Sequence, residues 1–309
     1  MPALNFGVLV AMDTVLDQPI SAAQQDRLRY IELRLRFLGE IRRPDLCERF
    51  GVGQAAATRD VALYKSLAPA NLRYDSRAKR YVFADTFRPL YETDPVRVLS
   101  WLSRQFGDIS PDPTARQLPC VTPDSLALPD LGTLATITRA IHQHGVLAIE
   151  YHSISSGRTN REIVPFALVD NGLRWHVRAY DRKQAAFRDF VLTRIRQPRT
   201  LSGATVAAHE LCEQDSQWNR QVELELVPHP DQPHPEITEM DYAMQGSVLK
   251  LRLRAATAGY ALRRWSVDCS PDHGLRAPEF RLWLKDPLVL YGVQSARLAP
   301  GYRPPGEAA

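Results

Sequence analysis

Gly51-Val52-Gly53, followed by Gln54-Ala55-Ala56-Ala57-Thr58-Arg59-Asp60-Val61-Ala62-Leu63-Tyr64, decides the amino-terminal fold. A tight turn with two glycines leads into a helical period in which Ala57, Val61 and Tyr64 recur at i, i+4 and i+7. The other side of that helix carries Ala55, Arg59 and Ala62, flanked by Thr58. Working upstream, residues 24–38 set Leu28, Ile31, Leu35 and Leu38 on one stripe, with Arg27, Arg29, Arg34 and Arg36 expected to point away from it. Gly39 suits the residue just past a helix end, and Pro44 opens a short helix, Asp45 to Phe50, where a missing N–H costs nothing. Helix, short helix, glycine turn and helix make a helix-turn-helix. Downstream, Asn71-Leu72-Arg73-Tyr74 and Arg80-Tyr81-Val82-Phe83 alternate around Asp75-Ser76-Arg77-Ala78-Lys79, a hairpin with a basic tip placed as a wing.

The chemistry of these residues suits duplex DNA. Small side chains at the start of the third helix let its backbone approach a groove, and Ala55 is of a size to meet a thymine methyl. Arg59 has the reach and the planar fork for a guanine edge, while Gln54 and Thr58 suit a base or a phosphate. Arg42, Arg43, Arg77, Lys79 and Arg80 are expected to hold phosphates. The competing reading of the same residues is a three-helix domain that binds protein. The basic wing and Arg59 weigh against it.

The 309 residues, 44% hydrophobic and 24% charged, have the composition of a globular protein of two or three domains. The net charge of +4 is unevenly spread: residues 21–90 and residues 139–200 each carry +6, and the rest carries −8. Two basic segments in an otherwise acidic chain point to two anion sites. The apolar run Phe6 to Met12 is too short for a membrane span and lacks the flanks of a signal peptide. Cys47, Cys120, Cys212 and Cys269 show no CxxC spacing, which fits a reducing cytosol. No nucleotide-binding glycine loop, GxSxG elbow or HExxH pair occurs, so neither an enzyme nor a cofactor is expected. His142, His144, His229 and His234 lack the spacing of a metal site.

Residues 109–130 hold five prolines and read as a linker. A short helix, Pro95 to Phe106, precedes it with Val98, Leu99, Leu102 and Phe106 as its stripe, and a second, Leu134 to His144, follows. Beyond that the period drops to two. Leu147, Ile149, Tyr151 and Ser153 share a face, as do Arg174, His176, Arg178 and Tyr180, with Trp175, Val177 and Ala179 opposite. Arg188, Phe190, Leu192 and Arg194 fall on one side of the next strand. Asp170-Asn171-Gly172 is a hairpin turn, and the whole forms a small, strongly bent antiparallel sheet or barrel. Arginines two apart on one strand repel unless an anion lies between them. A phosphate or polyanion would satisfy Arg174 and Arg178, with Arg161 or Arg188. The alternative is a sheet face whose cations find partners such as Asp181 and Asp189. Farther on, Val222 to Val227 and Ser247 to Leu253 alternate as strands, and Ala258 to Trp265 reads as a short helix.

Gly172-Leu173-Arg174-Trp175-His176-Val177-Arg178-Ala179-Tyr180, with Arg188-x-Phe190-x-Leu192-x-Arg194-Ile195, resembles the WYL domain, whose tripeptide stands here as Trp175-His176-Val177. Gly39-Glu40-Ile41-Arg42-Arg43-Pro44-Asp45-Leu46, Ala56-Ala57-Thr58-Arg59-Asp60 and Ala68-Pro69-Ala70-Asn71-Leu72-x-Tyr74 resemble the winged helix of WYL transcription factors. More narrowly they resemble the BrxR/CapW group that controls phage-defence operons. Tyr260-x-Leu262-x-x-Trp265-Ser266-Val267-Asp268 resembles the carboxy-terminal extension, or WCX domain, of these proteins.

The resemblance implies an α+β chain. Its parts are an N-terminal extension (1–20), a winged helix-turn-helix (21–90), a helical and Pro-rich linker (91–135), an Sm-like β-barrel WYL domain (136–200), a connector (201–221) and an α/β WCX dimerisation domain (222–309). It also implies a cytoplasmic homodimeric repressor bound to an inverted-repeat operator in double-stranded DNA and modulated by an anionic nucleotide or nucleic-acid ligand. Tyr151, Ser153, Arg161, Arg174, His176, Arg178 and Arg188 are the expected ligand residues. His176 stands where the wider family has Tyr, and an imidazole among arginines should resist protonation. The rival function is a nucleic-acid-binding accessory subunit of a defence complex without operator specificity. An unrecognised enzyme acting on nucleotides comes third.

Overall fold

The computed structural model describes residues 20–104 and 126–306. Phe6 to Met12, Phe106, Cys120 and most of the Pro-rich linker lie outside them. The chain divides into two compact units, Met1–Pro123 and Asp124–Ala309.

In the first unit, α1 (Ala22–Leu38), α2 (Arg43–Phe50) and α3 (Gln54–Leu67) pack around one core. Leu28, Ile31 and Leu35 of α1, Leu46 of α2 and Ala57, Val61 and Tyr64 of α3 are all fully or nearly fully buried, as their spacing predicts. Burying each large aliphatic side chain contributes about 1.5–3 kcal/mol. Ser21 caps α1 by accepting from Gln24 N–H at 3.3 Å, and Gly39 ends it at φ +78°, the left-handed conformation that glycine adopts without strain. Gly51, at φ +64°, does the same for α2. The wing consists of β2 (Leu72–Asp75) and β3 (Arg80–Phe83), joined by β1 (Glu40–Ile41) in a three-stranded sheet of order β1-β3-β2.

Three polar links cross this core that helical spacing does not announce. Arg27 and Arg34, expected to point away from the stripe, turn inward instead. Arg27 Nε donates to Asp60 Oδ2 at 2.6 Å, and Arg34 Nη2 lies 3.2 Å from Asp45 Oδ2. Glu32, 2% exposed, accepts from the Tyr64 hydroxyl at 2.9 Å and from the N–H groups of Leu90 and Tyr91 at 2.8 and 3.0 Å. A buried carboxylate needs such partners. This one ties α1 to α3 and to the irregular segment that leaves the wing. The last helix of the unit among the described residues, α4 (Pro95–Arg104), buries Val98 and sets Trp101 edge-on to Tyr30 at 6.4 Å. Leu99, expected on its stripe, is 66% exposed.

The second unit begins with α5 (Leu131–His142), capped by Asp130, which accepts from Thr133 N–H at 2.8 Å. Five antiparallel strands follow: β4 (Leu147–Ser153), β5 (Gly157–Asp170), β6 (Trp175–Asp181), β7 (Ala186–Val191) and β8 (Ile195–Thr200), in the order β7-β6-β5-β4-β8. The pairing slips between Ala148 and Glu150 and between Pro165 and Ala167. Such bulges bend a sheet. The expected barrel does not close: β7 and β8 are the two edges and do not pair with each other. Pro198 sits in the β8 edge, where it has no N–H to offer another strand.

Ile137 and Ala140 of α5 cover one face of this sheet, packing with Ile149, Ile163, Val177, Ala179 and Phe190. The alternation read in β6 therefore holds for Val177 and Ala179. The opposite face is also covered, because His176, Arg178 and Tyr180 are all buried. The strand β7 ends at Val191, and Leu192–Arg194 forms a short 3-10 turn in place of a longer strand.

After a connector that includes α6 (Ser216–Asn219), the chain builds a mixed four-stranded sheet. Its strands are β9 (Gln221–Pro228), β10 (Leu249–Arg254), β11 (Val267–Asp268) and β12 (Leu282–Leu284), in the order β10-β9-β12-β11 with β11 and β12 parallel. The helix α7 (Pro235–Asp241) lies between β9 and β10 in sequence, and α8 (Ala255–Arg264) follows β10. Val222, Leu224 and Leu226 of β9 pack with Ala255, Ala258 and Leu262 of α8 in a separate core. Gly259 lets the backbone of Ser295 lie against α8: a Cβ there would fall 1.8 Å from the Ser295 carbonyl oxygen. Among the described residues no helix is long and apolar enough to cross a membrane.

Candidate nucleic-acid interface and ligand face

The third helix separates its residues cleanly. Ala57, Asp60, Val61 and Tyr64 are buried; Gln54, Ala55, Thr58, Arg59 and Ala62 are exposed. Gly53 supplies the extended residue before the first turn, and after Gln54 the amino end of α3 carries only the small side chains of Ala55, Ala56 and Ala57. Thr58 Oγ1 donates to the Gln54 carbonyl at 2.8 Å, which leaves the oxygen's lone pairs free to accept. Arg59 makes no ion pair or hydrogen bond among the described residues. Asp60, next in sequence, points inward and is held by Arg27 and by Gln24 Nε2 at 2.9 Å. Neighbouring residues on one helix thus divide the work, one anchoring α3 and the other facing out.

The expected phosphate contacts fall into two groups. Arg43, Arg77 and Lys79 are exposed and without a side-chain partner among the described residues. Lys79 sits at φ +53° in the tip of the wing, where Asp75 accepts from the N–H groups of Arg77 and Ala78 at 3.0 Å each. Arg80 is instead committed to Glu40 across the β1–β3 pair, and Arg42 lies 3.8 Å from the same carboxylate. These two arginines brace the wing against the start of α2. Surface pairs of this kind are worth ~0–1 kcal/mol, so they give way to a phosphate at little cost.

On the WYL sheet the expected ligand residues separate likewise. Arg161 Nη1 is 3.0 Å from Asp181 Oδ2, with side chains 9% and 1% exposed. Arg178 Nε and Nη2 donate to the two oxygens of Asp215 at 2.8 and 3.1 Å, and Nη1 donates to Asp189 Oδ1 at 3.1 Å. The anion between neighbouring cations is therefore supplied from within, by Asp181, Asp189 and Asp215. Asp181 and Asp189 are the partners that the sheet-face alternative named. Asp215, 37 residues from Arg178, leaves no trace in the local pattern. Burial works against the charge of Arg178, but the Asp215 and Asp189 carboxylates outweigh it and raise its pKa.

Among the described residues Arg174 and Arg188 are exposed and free of carboxylate partners, Arg188 reaching only Gln184 Oε1 at 3.5 Å. Arg188 stands opposite Ala179 in the β6–β7 ladder and so leaves the sheet on the face away from Arg178. Tyr151 accepts from Val191 N–H at 3.2 Å, and Ser153 pairs with Ser155 at 3.1 Å in the β4–β5 turn. Val191 stands opposite His176 in the β6–β7 ladder, so Tyr151 and His176 meet the same end of β7. His176 is 4% exposed, and its Nδ1 has no hydrogen-bond partner among the described residues. Its ring lies 5.4 Å from that of Tyr260. Burial lowers its pKa, Asp189 opposes the shift and Arg174 adds to it. An imidazole among arginines resists protonation here, with desolvation as the leading cause. Tyr260 donates to Asp189 Oδ2 at 3.1 Å, and its own pKa is raised by burial and by that carboxylate.

Among the described residues no group of three His, Cys, Asp or Glu side chains is placed to hold a metal. His229, read in the sequence as part of a Pro-rich turn, is buried with Nε2 3.3 Å from Asp268 Oδ2.

Comparison with known proteins gives each part a counterpart. Residues 23–104 match the winged helix-turn-helix domain of the BrxR transcriptional regulator, residues 132–200 the WYL domain, and residues 221–290 the C-terminal dimerization domain of the BrxR regulator. The DNA-binding transcriptional repressor CapW of Pseudomonas aeruginosa is 34% identical over 281 residues, spanning 85% of this chain and 91% of that one. CapW of Escherichia coli (strain KTE188) is 30% identical over 282 residues, 87% of this chain and 91% of that one. CapW of Stenotrophomonas maltophilia is 32% identical over 254 residues, 79% and 84% of the two chains. These relatives are repressors, not enzymes. At that identity along most of its length, and carrying a BrxR winged helix, a WYL domain and a BrxR dimerization domain, the chain belongs to the BrxR/CapW family of DNA-binding transcriptional repressors.

Proposed function

We propose that the protein is a cytoplasmic homodimeric repressor that reads an inverted-repeat operator with α3 and controls a phage-defence operon. The observation that carries this reading is the outward face of α3, where Gln54, Ala55, Thr58, Arg59 and Ala62 are exposed and Arg59 is unpaired beside buried Asp60. Arg43, Arg77 and Lys79 supply sequence-independent affinity through phosphates; Arg42 and Arg80 join them on exchanging Glu40 for the backbone. Two copies would set two such helices on half-sites separated by whole turns of the duplex.

An anionic nucleotide or nucleic-acid ligand at the WYL face modulates repression. Arg174 is the cation ready for it on the His176–Arg178 side, whereas Arg188 leaves β7 on the side of its ladder partner Ala179. Tyr151, Ser153 and His176 shape the surroundings, and Arg161 and Arg178 are held by Asp181, Asp189 and Asp215. The ligand shifts operator binding only as far as it favours one state of the dimer over the other.

Footprinting on DNA upstream of the protein's own operon tests the proposal. Protection of an inverted repeat is the expected result. Sequence-blind binding, with equal affinity for single strands, would instead make the chain an accessory subunit.

A further inference from the structure

Asp189 is shared between two parts of the second unit. Its Oδ1 accepts from Arg178 Nη1 on the WYL sheet, and its Oδ2 accepts from the Tyr260 hydroxyl on α8, both at 3.1 Å. Nearby, Tyr260 presents its ring to His176, two residues before Arg178. One turn farther along α8, Arg264 lies across the β5–β6 turn: a Cβ at Gly172 would fall 2.5 Å from its Cδ and Nε. The face of β6 read as the sensing face is therefore backed by α8 of the C-terminal domain, and one carboxylate joins the two.

We propose that Asp189 is a positioning residue through which the state of Arg178 is passed to the C-terminal domain by way of Tyr260. The inference rests on reading β6 as the ligand-sensing face. The planar guanidinium fork offers its Nε edge to Asp215 as a bidentate pair and a separate N–H to Asp189. Of the two carboxylates, Asp189 is the more accessible, with its side chain 13% exposed against 2% for Asp215. An incoming phosphate is chemically equivalent to Asp189 at Arg178 Nη1 and meets it first. Displaced from Arg178, the Asp189 carboxylate has lost its cation and turns outward to recover its hydration, which takes the acceptor away from the Tyr260 hydroxyl. A half-buried phenol without a partner favours separation of α8 from the sheet. By linkage, anything that loosens Tyr260 also makes Arg178 easier for an anion to take.

The test uses the full-length protein with Tyr260→Phe, Asp189→Asn and the double variant. Tyr260→Phe removes one hydroxyl and keeps the ring against His176, so it remains informative if Asp189→Asn fails to fold. Hydrogen–deuterium exchange should rise severalfold in both β7 and α8 for Tyr260→Phe. Each single variant should change the affinity for duplex DNA from upstream of the gene by about three- to tenfold in the same direction, and the double variant by no more than the larger single effect. Faster exchange confined to α8, or single effects that multiply in the double variant, would overturn the proposal by showing a merely structural contact. If wild type itself fails to prefer that DNA to a random duplex, the repressor reading fails, whereas the exchange of β7 and α8 still reports the joint.

Discussion

Arg27 on α1 and Asp60 on α3 form a hydrogen-bonded ion pair of 2.6 Å, with side chains 16% and 2% exposed. Asp60 follows Arg59 directly, so the pair sets the rotation of α3 and hence the direction in which Arg59 leaves the helix. Removing one partner strands the other: breaking a buried pair costs about 3–5 kcal/mol, and the partial exposure of Arg27 puts this one at the lower end. We expect Arg27→Ala to accelerate hydrogen exchange of the α3 amides in the full-length protein. Unchanged exchange there would show that hydrophobic packing alone orients the helix.

Arg59 and Lys79 should fail in different ways. Arg59→Ala is expected to relax selectivity at one base pair of each half-site and to cost about 1–3 kcal/mol on the preferred sequence. Lys79→Ala should weaken binding to all sequences alike and lower the salt slope by about one. Competition titrations with operator and random duplexes, each at several salt concentrations, separate the two. A uniform loss for Arg59→Ala would place it on a phosphate.

What could be read from the sequence was local. The stripe Leu28, Ile31, Leu35, the stops at Gly39 and Gly51, and the buried set Ala57, Val61, Tyr64 each follow from residues within one helical turn or two. The alternation of β6 likewise sends Val177 and Ala179 to the α5 side and Arg178 to the other. The fate of Arg178 was legible only in part: Asp189 stood among the partners of the sheet-face alternative, but Asp215 lies 37 residues away, and pairing across that distance leaves no periodic mark. Arg27 and Arg34 misled for the same reason: a helical wheel shows where a side chain starts, not that Asp60 or Asp45 waits beneath it. The barrel expected from resemblance stays open because closure depends on whether the edge strands β7 and β8 meet, and strand patterning is silent on that.

Gly259 should tolerate no side chain. Alanine would gain about 1 kcal/mol of helix propensity. The Cβ, however, would fall 1.8 Å from the Ser295 carbonyl oxygen, and Gly259 N–H already donates to Ser295 Oγ at 3.0 Å. Backbone must move on one side or the other, and overpacking of this severity costs ~3 kcal/mol. The loss outweighs the gain. Gly259→Ala should therefore lower the Tm of the second unit by roughly 4–8 °C, as measured by calorimetry; a higher Tm would mean that the backbone near Ser295 yields freely.

His176 should make the stability of the second unit depend on pH. Burial holds its folded-state pKa below the ordinary 6.5, so the unfolded chain binds the proton more readily than the folded one. The contribution of His176 is therefore complete above pH ~6.5 and is lost as pH falls below that, by up to about 1.4 kcal/mol per pH unit until the folded-state pKa is reached. Asp189 opposes protonation-linked destabilisation, Arg174 reinforces it, and the neighbouring Tyr260 stays neutral throughout this range. Urea midpoints at pH 7.5 and 5.5 measure the difference. His176→Gln, which cannot titrate, should narrow the gap between the two midpoints whatever it does to stability at either pH. A gap as wide as in wild type would assign the pH dependence to other groups.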